Sequence, residues 1–142
     1  MSQIVVDTDV ASYIFNWHSL AQQYADALRG SELILSFMTI AELRMGAISA
    51  RWGGRRRVLL EQFMECFERV YADNDICTVW ARVRADARAA GRALSPQDAW
   101  IAATALALDA PLATNNRRDF EHVEKLPVAL TLITSSAIIR KA

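Results

Sequence analysis

Four carboxylates, Asp7, Glu42, Asp98 and Asp119, sit just beyond short apolar runs or at the head of one. Ile4-Val5-Val6 runs into Asp7, Leu33-Ile34-Leu35 leads to Thr39-Ile40-Ala41-Glu42, and Pro111-Leu112-Ala113-Thr114 precedes Asn115, Asn116 and Asp119, while Asp98 opens the apolar stretch Ala99 to Leu108. In an open parallel sheet the strands finish at one edge and the helices packed against them begin there, so all four acids can converge on one pocket. Singly, each acid also suits an ordinary helix cap, because a carboxylate favours the positive end of the helix dipole. Capping does not require four at one edge, where mutual repulsion raises carboxyl pKa values unless a cation is present. Oxygen-only ligands suit the hard ions Mg²⁺ and Mn²⁺, which keep several waters and are completed by substrate phosphate. Phosphodiester hydrolysis is the expected chemistry, since a cation lowers the pKa of an attacking water, neutralises the scissile phosphate and stabilises the departing oxygen. One ion or two would satisfy the pattern.

The elements that must position these acids have to come from 142 residues, the length of one domain, and 1–142 is read as a single domain. Hydrophobic residues make up 53%, yet Asp, Arg or Thr interrupts each apolar stretch well before the roughly 18 residues that suggest a membrane span. Met1 is followed by a strand pattern and not by a basic and then apolar leader, so a soluble cytoplasmic protein is expected. Gln3 to Val6 reads as a first buried strand, Val10 to Trp17 as a helix entered through Asp7 to Asp9, and Gln22 to Leu28 as a short helix stopped by Gly30. Glu32 to Phe37 is the second strand. Thr39-Ile40-Ala41-Glu42 has the S/T-x-x-E form of a capping box opening a helix to about Ile48, and Val58 to Tyr71 shows an apolar period near 3.6, so the two form a helical hairpin across Arg51 to Arg55. Ile76 to Val79 fits either a strand or the approach to a helix Trp80 to Ala90, which Gly91 ends in a left-handed conformation. Ser95-Pro96-Gln97-Asp98 supplies an N-cap, a proline at the first helical position and an acid three residues after the cap. Leu112 to Thr114 and Val128 to Ile133 are the last strands, ahead of a helical or frayed tail.

Other chemistries find less support. Cys66 and Cys77 stand eleven apart with no CxxC and no His pair, so neither zinc nor a disulfide framework is indicated. Cys66, inside the apolar helical run Leu59 to Phe67, reads as a small buried residue. His18 and His122 stand alone and no GxSxG elbow is present, which argues against a Ser or Cys nucleophile. Net charge is zero, so no wholly basic surface is available to nucleic acid. Basic patches exist nonetheless. All sixteen basic residues except Lys125 and Lys141 are Arg, with runs at Arg55-Arg56-Arg57 and Arg117-Arg118 and a row at Arg84, Arg88 and Arg92 whose spacing by four lays them on one helix face. The row suits a solvated face, whereas Arg117 and Arg118, beside Asp119, are placed to attract phosphate. Trp17, Trp52, Phe63, Phe67 and Trp80 fall around the hairpin, and such aromatics, like Trp100, are core more often than docking surface.

Val6-Asp7-Thr8, Thr39-Ile40-Ala41-Glu42-Leu43, Asp98-Ala99-Trp100-Ile101-Ala102-Ala103-Thr104-Ala105 and Thr114-Asn115-Asn116-Arg117-Arg118-Asp119-Phe120 together resemble the PIN-domain ribonucleases, and more closely their VapC-like toxin branch from type II toxin-antitoxin modules. The similarity covers essentially the whole chain in order and spacing. It implies a three-layer α/β/α fold with a central parallel sheet and Mg²⁺-dependent endoribonuclease activity. Asp7, Glu42 and Asp98 would be the core metal ligands and Asp119 the fourth acid, directly or through water, with Thr8, Thr114 and Asn115 orienting a ligand or water. Asn116 equally suits ordinary turn chemistry, and Asp9 departs from the small polar residue expected after Asp7-Thr8, as a helix cap or as added charge at the rim. The resemblance further implies a homodimer and a cognate antitoxin whose C-terminal segment wraps the hairpin and obstructs the acidic pocket, with DNA met only through the antitoxin.

Two rival readings remain. Asp7-Thr8-Asp9 is similar to the DxD nucleophile loop of haloacid-dehalogenase-type phosphatases, but that chemistry and that of receiver domains want a suitably placed lysine, and Lys125 is the only internal one. A non-catalytic PIN-like module that binds RNA or protein is the other, in which the acids only cap helices.

Overall fold

The computed structural model describes residues 2–121, 123 and 130–134. His122, Lys125, Lys141, the start of the last expected strand and the tail lie outside the described residues.

In chain order the elements are β1 (Gln3–Val6), α1 (Thr8–Phe15), α2 (Ala21–Leu28), β2 (Glu32–Ser36), α3 (Phe37–Ser49), α4 (Gly54–Glu65), β3 (Glu68–Val70), α5 (Asn74–Ala89), α6 (Pro96–Ala107), β4 (Leu112–Ala113), α7 (Arg117–Phe120) and β5 (Leu132–Ile133). The strands form one sheet in the order β3-β2-β1-β4-β5, and every pairing is parallel. Successive strand residues point to opposite faces, so a strand covered on both sides must be apolar at every position. Past Gln3, β1 obeys this: Ile4 and Val6 join a core with Leu35, Ala113 and residues of α1 to α4, while Val5 joins a second core with Ile34, Leu112 and residues of α5 and α6. Helices therefore cover both faces of the sheet, and the expected three-layer α/β/α arrangement is the observed one.

Local signals explain most boundaries. Ser95 Oγ accepts from the backbone N–H of Asp98 at 3.0 Å with Pro96 opening α6, as its sequence predicts. Gly91 takes φ +67° beyond α5, and Gly91 and Arg92 donate back to Arg88 and Ala87, which ends the helix as expected.

Four expectations are corrected and one left open is decided. The cap of α3 is Ser36, whose Oγ accepts from Met38 N at 3.2 Å, so the helix begins before Thr39 and Thr39-x-x-Glu42 is not a capping box. Polar side chains inside a first turn are thereby freed to point at the site. The helix expected to reach Tyr71 stops at Glu65, and Glu68–Val70 pairs with Ile34–Ser36 as β3. The 3.6-residue period of Met64, Phe67 and Tyr71 persists by coincidence through a strand too short to show alternation, and the backbone partners that decide the matter come from β2. Ile76 to Val79 is helical, since Asp73 caps α5 by accepting from Ile76 N at 2.8 Å. That helix ends at Ala89, so Arg92 lies past it, and Arg84 is turned inward to donate to Leu94 O, leaving no continuous row with Arg88. Cys66, finally, caps the end of α4 and is exposed.

Among the described residues no helix is long and apolar enough to cross a membrane.

Candidate active site

β1 and β4 are neighbours with Val6 level with Ala113, which sets Asp7 beside Thr114 at the carboxyl ends of the two strands. From β1 the order runs to β2 on one side and to β4 on the other, so this is the point where an open parallel sheet presents a crevice.

Asp7 caps α1 and is 6% exposed. Its Oδ1 accepts from Thr8 N at 2.8 Å and its Oδ2 from the hydroxyl of the fully buried Thr114 at 2.7 Å. Burial, then the charge of Asp9, pushes its pKa from 3.8 to about 8, against the pull of the Thr114 and Thr8 donors; Asp98 adds a further upward push. The Thr8 hydroxyl donates to Glu42 Oε1 at 2.8 Å and lies 3.1 Å from Thr39 Oγ, so α1 and α3 are tied together at the pocket. Asp98, half-buried in the first turn of α6, is raised by burial and by the fields of Asp119, Glu42 and Asp9, while the Ser95 bond opposes the rise. Asp119, in α7, accepts from the Asn116 side-chain amide, and Asn116 N donates to Thr114 Oγ at 3.1 Å. The acids of four separate segments thus lie within one another's fields.

Asp9 belongs to this group more closely than its sequence context indicated. Its Oδ1 accepts from Val10 N at 2.7 Å and its Oδ2 from Asn115 N at 3.1 Å. Its carboxyl is raised, chiefly by burial, with Asp119 adding to the rise and hydrogen bonds from Val10, Asn115 and Asp7 opposing it. Of the two roles left open for Asp9, the structure fills the second, charge in the pocket, since Asp7 is the cap of α1 and Asp9 lies inside its first turn. Tyr24 and Tyr13 were missed. The Tyr24 hydroxyl meets Thr114 O at 3.2 Å and Asn115 Oδ1 at 3.0 Å, and Asn115 Nδ2 meets Tyr13 Oη at 3.4 Å. The spacing of Ala21, Tyr24 and Leu28 marks a buried helix face, but nothing local says which strand end a buried phenol reaches. Arg117 and Arg118 are exposed on α7, beside Asp119.

The donors are all oxygen, and neither ion pair among the described residues, Arg44–Glu61 or Arg29–Asp26, involves these acids. That chemistry fits a hard cation. The carboxyls are nevertheless spread: among the described residues no three His, Cys, Asp or Glu side chains are grouped closely enough to hold an ion together. Mg²⁺ tolerates this better than most ions, because it keeps several waters and needs only one or two carboxylates directly.

Away from the acids, a groove of about 1160 Å³ runs between α1, α2 and α4, floored by Ile14, Phe15, Ala25, Leu59 and Phe63 and rimmed by Arg55 and Arg56. Arg56 also donates to Asn16 Oδ1 at 2.6 Å and lies 3.9 Å above the Trp52 ring. Trp17 stands on the groove wall 87% exposed and in the left-handed region at φ +54°, a conformation rare for a bulky side chain. It is therefore not core, whereas Phe67 is, and Trp52, Phe63, Trp80 and Trp100 are half-buried, the last two stacked at 4.7 Å.

Residues 4–126 match the PIN domain family. Ribonuclease VapC1 of Haemophilus influenzae is 27% identical over 124 residues, 86% of this chain and 92% of that protein. A VapC ribonuclease of Sinorhizobium fredii is 33% identical over 129 residues, 83% of this chain and 90% of that protein. The structure of VapBC-5 from Mycobacterium tuberculosis, a member of the VapBC family of toxin-antitoxin systems, aligns with a TM-score of 0.71 and 27% identity over 94% of this chain and 99% of that one. A match that runs from β1 past α7, over relatives of nearly the same length, means that this chain belongs to the PIN-domain family and, within it, to the VapC proteins.

Proposed function

We propose that the chain is a metal-dependent endoribonuclease, the toxin of a toxin-antitoxin pair. The observation that carries this reading is the convergence of Asp7, Glu42, Asp98 and Asp119, with Asp9, on one sheet edge where each of the raised acids is pushed up by at least one other. Relatives named as ribonucleases support it.

Asp7, Glu42 and Asp98 would hold Mg²⁺, with Mn²⁺ able to substitute, and Asp119 would assist directly or through water. When bound, such an ion eases deprotonation of an attacking water and offsets charge on the scissile phosphate. The chain's own part is positioning. Thr8 N and Thr114 Oγ hold the two oxygens of Asp7 separately, Thr8 Oγ holds Glu42, and the Ser95 cap fixes the turn that carries Asp98. Arg117 and Arg118 draw RNA phosphates toward a pocket that would otherwise repel them. The expected products carry a 5′-phosphate.

The antitoxin is assigned to the groove between α1, α2 and α4. Its apolar floor suits the apolar face of a helical segment, and Arg55 and Arg56 suit carboxylates on that segment's flank. DNA would be met only through the antitoxin. A second copy of the chain is expected against α3, where Met45 and Ile48 are exposed one turn apart.

The spread of the carboxyls favours the alternative, a non-catalytic module that binds RNA or protein. Incubating the purified protein and its Asp7→Asn/Asp98→Asn variant with mixed cellular RNA, in Mg²⁺, Mn²⁺ or EDTA, separates the two. Discrete metal-dependent cuts that vanish in the variant are expected. Folded protein that binds RNA or a partner and never cuts, with any metal, would establish the module instead.

A further inference from the structure

The structure assigns a positioning role to Tyr24: through its phenol hydroxyl, this residue of α2 fixes Thr114 and Asn115 so that they deliver hydrogen-bond donors to Asp7 and Asp9. The assignment rests on the nuclease reading only for its consequence, not for its geometry.

β4 ends at Ala113, and the chain then leaves the sheet for α7. Thr114 and Asn115 lie in that gap and both serve the acids, Thr114 through its hydroxyl to Asp7 Oδ2 at 2.7 Å and Asn115 through its backbone N–H to Asp9 Oδ2 at 3.1 Å. The Thr114 backbone is still tied to β5, its N–H donating to Ile133 O at 2.9 Å, but that bond aims neither the Thr114 hydroxyl nor the Asn115 amide. Tyr24 supplies the hold from ninety residues away in sequence. Its side chain is 0% exposed, and its oxygen lies 3.2 Å from Thr114 O and 3.0 Å from Asn115 Oδ1, one acceptor on each donor-bearing residue. A buried phenol requires a partner, and a leucine or phenylalanine would fill the same space without one. The hydroxyl is thus the part of Tyr24 that packing does not explain. Tyr13 Oη, 3.4 Å from Asn115 Nδ2, braces the same amide from α1 more weakly.

Tyr24→Phe keeps the ring and removes the hydroxyl that meets Thr114 and Asn115. Three readouts test it at a temperature where wild type and variant are both folded: amide hydrogen exchange at Asn115, Mn²⁺ affinity by calorimetry, and the kinetics of RNA cleavage. Faster exchange at Asn115, Mn²⁺ binding weakened about fivefold to tenfold and a fall in kcat with KM for RNA unchanged are expected. Asn115→Ala removes one of the two clamped groups, so the double variant should lose less than the product of the two single losses. Unchanged exchange and unchanged Mn²⁺ affinity in Tyr24→Phe would overturn the assignment, as would strictly multiplicative losses. Should wild type bind no Mn²⁺ and cut no RNA while Asn115 exchange still quickens in Tyr24→Phe, the nuclease reading falls and the clamp stands.

Discussion

Among the described residues no ion pair balances the buried Asp7, and its burial has a thermodynamic signature. Its pKa is 3.8 in ordinary surroundings and about 8 in the fold. Between those values the folded protein keeps a proton that the unfolded chain has released, so rising pH favours unfolding. The stabilising contribution of the protonated group is complete below 3.8 and is lost as pH rises through about 8. Asp9 and Asp98 are raised as well and act in the same direction. In thermal melts without metal, the Tm of the wild type should therefore fall between pH 5 and pH 8.5, and Asp7→Asn should flatten the fall while Asp9 and Asp98 leave a residual slope. Added Mn²⁺ should raise the wild-type Tm more at pH 8 than at pH 6, because metal and proton compete for the same oxygens. A wild-type Tm independent of pH over that range would show that Asp7 is not held as described. Which acids gather at the sheet edge was legible at this scale in the residue types and in the apolar runs before them. Their hydrogen-bond partners were legible only where they were local, as for Thr8 on Asp7.

Helix starts do much of the positioning. Asp98 occupies the third residue after the Ser95 cap, and that cap is visible in the sequence because Ser, Pro and an acid fall at the spacing a helix N-terminus uses. Ser95→Ala should cost about 1 kcal/mol of stability, seen as a Tm lower by a few degrees, and should also slow cleavage by loosening the turn that carries Asp98. Ser95→Thr should restore both. Cleavage unaffected by Ser95→Ala would mean that the packing of α6 places Asp98 without its cap. α3 gives the contrary lesson. Thr39-x-x-Glu42 matches a capping motif, yet Ser36 at the end of β2 takes the cap first, and Thr39 and Glu42 turn instead toward Thr8. Two candidate caps three residues apart cannot be ranked from local sequence, since the choice depends on where the sheet releases the strand.

The molecule as a whole separates two surfaces, the acid pocket at the sheet edge and the apolar groove between α1, α2 and α4. Leu59, 49% exposed, lies on the groove and away from the acids, so Leu59→Glu should leave the fold and the cleavage of RNA intact. Its affinity for the antitoxin should fall by about two orders of magnitude, as expected for a charge buried without a partner at the centre of an apolar interface. A pull-down with the cognate antitoxin and a growth assay check this together: cells co-expressing the antitoxin should tolerate the wild type and arrest with Leu59→Glu. Continued growth and undiminished binding would place the antitoxin elsewhere. The groove was not legible in the sequence, where Trp17 and Phe63 look alike at helical spacing although one is 87% exposed and the other half-buried.

By itself the sequence determined the class of fold, the seats of the four acids at strand and helix ends and the α6 cap, because these rest on short-range features: apolar runs of strand length, a capping triplet, and residue types whose charge needs no neighbour to be known. Tertiary structure alone decided that Glu68–Val70 is a strand, that Asp9 joins the pocket, that Cys66 is exposed, and that Tyr24 reaches Thr114 and Asn115. Each of those depends on partners brought from distant parts of the chain. A backbone N–H, a carboxylate or a phenol hydroxyl carries no record in its own neighbourhood of what it will meet when the sheet is assembled.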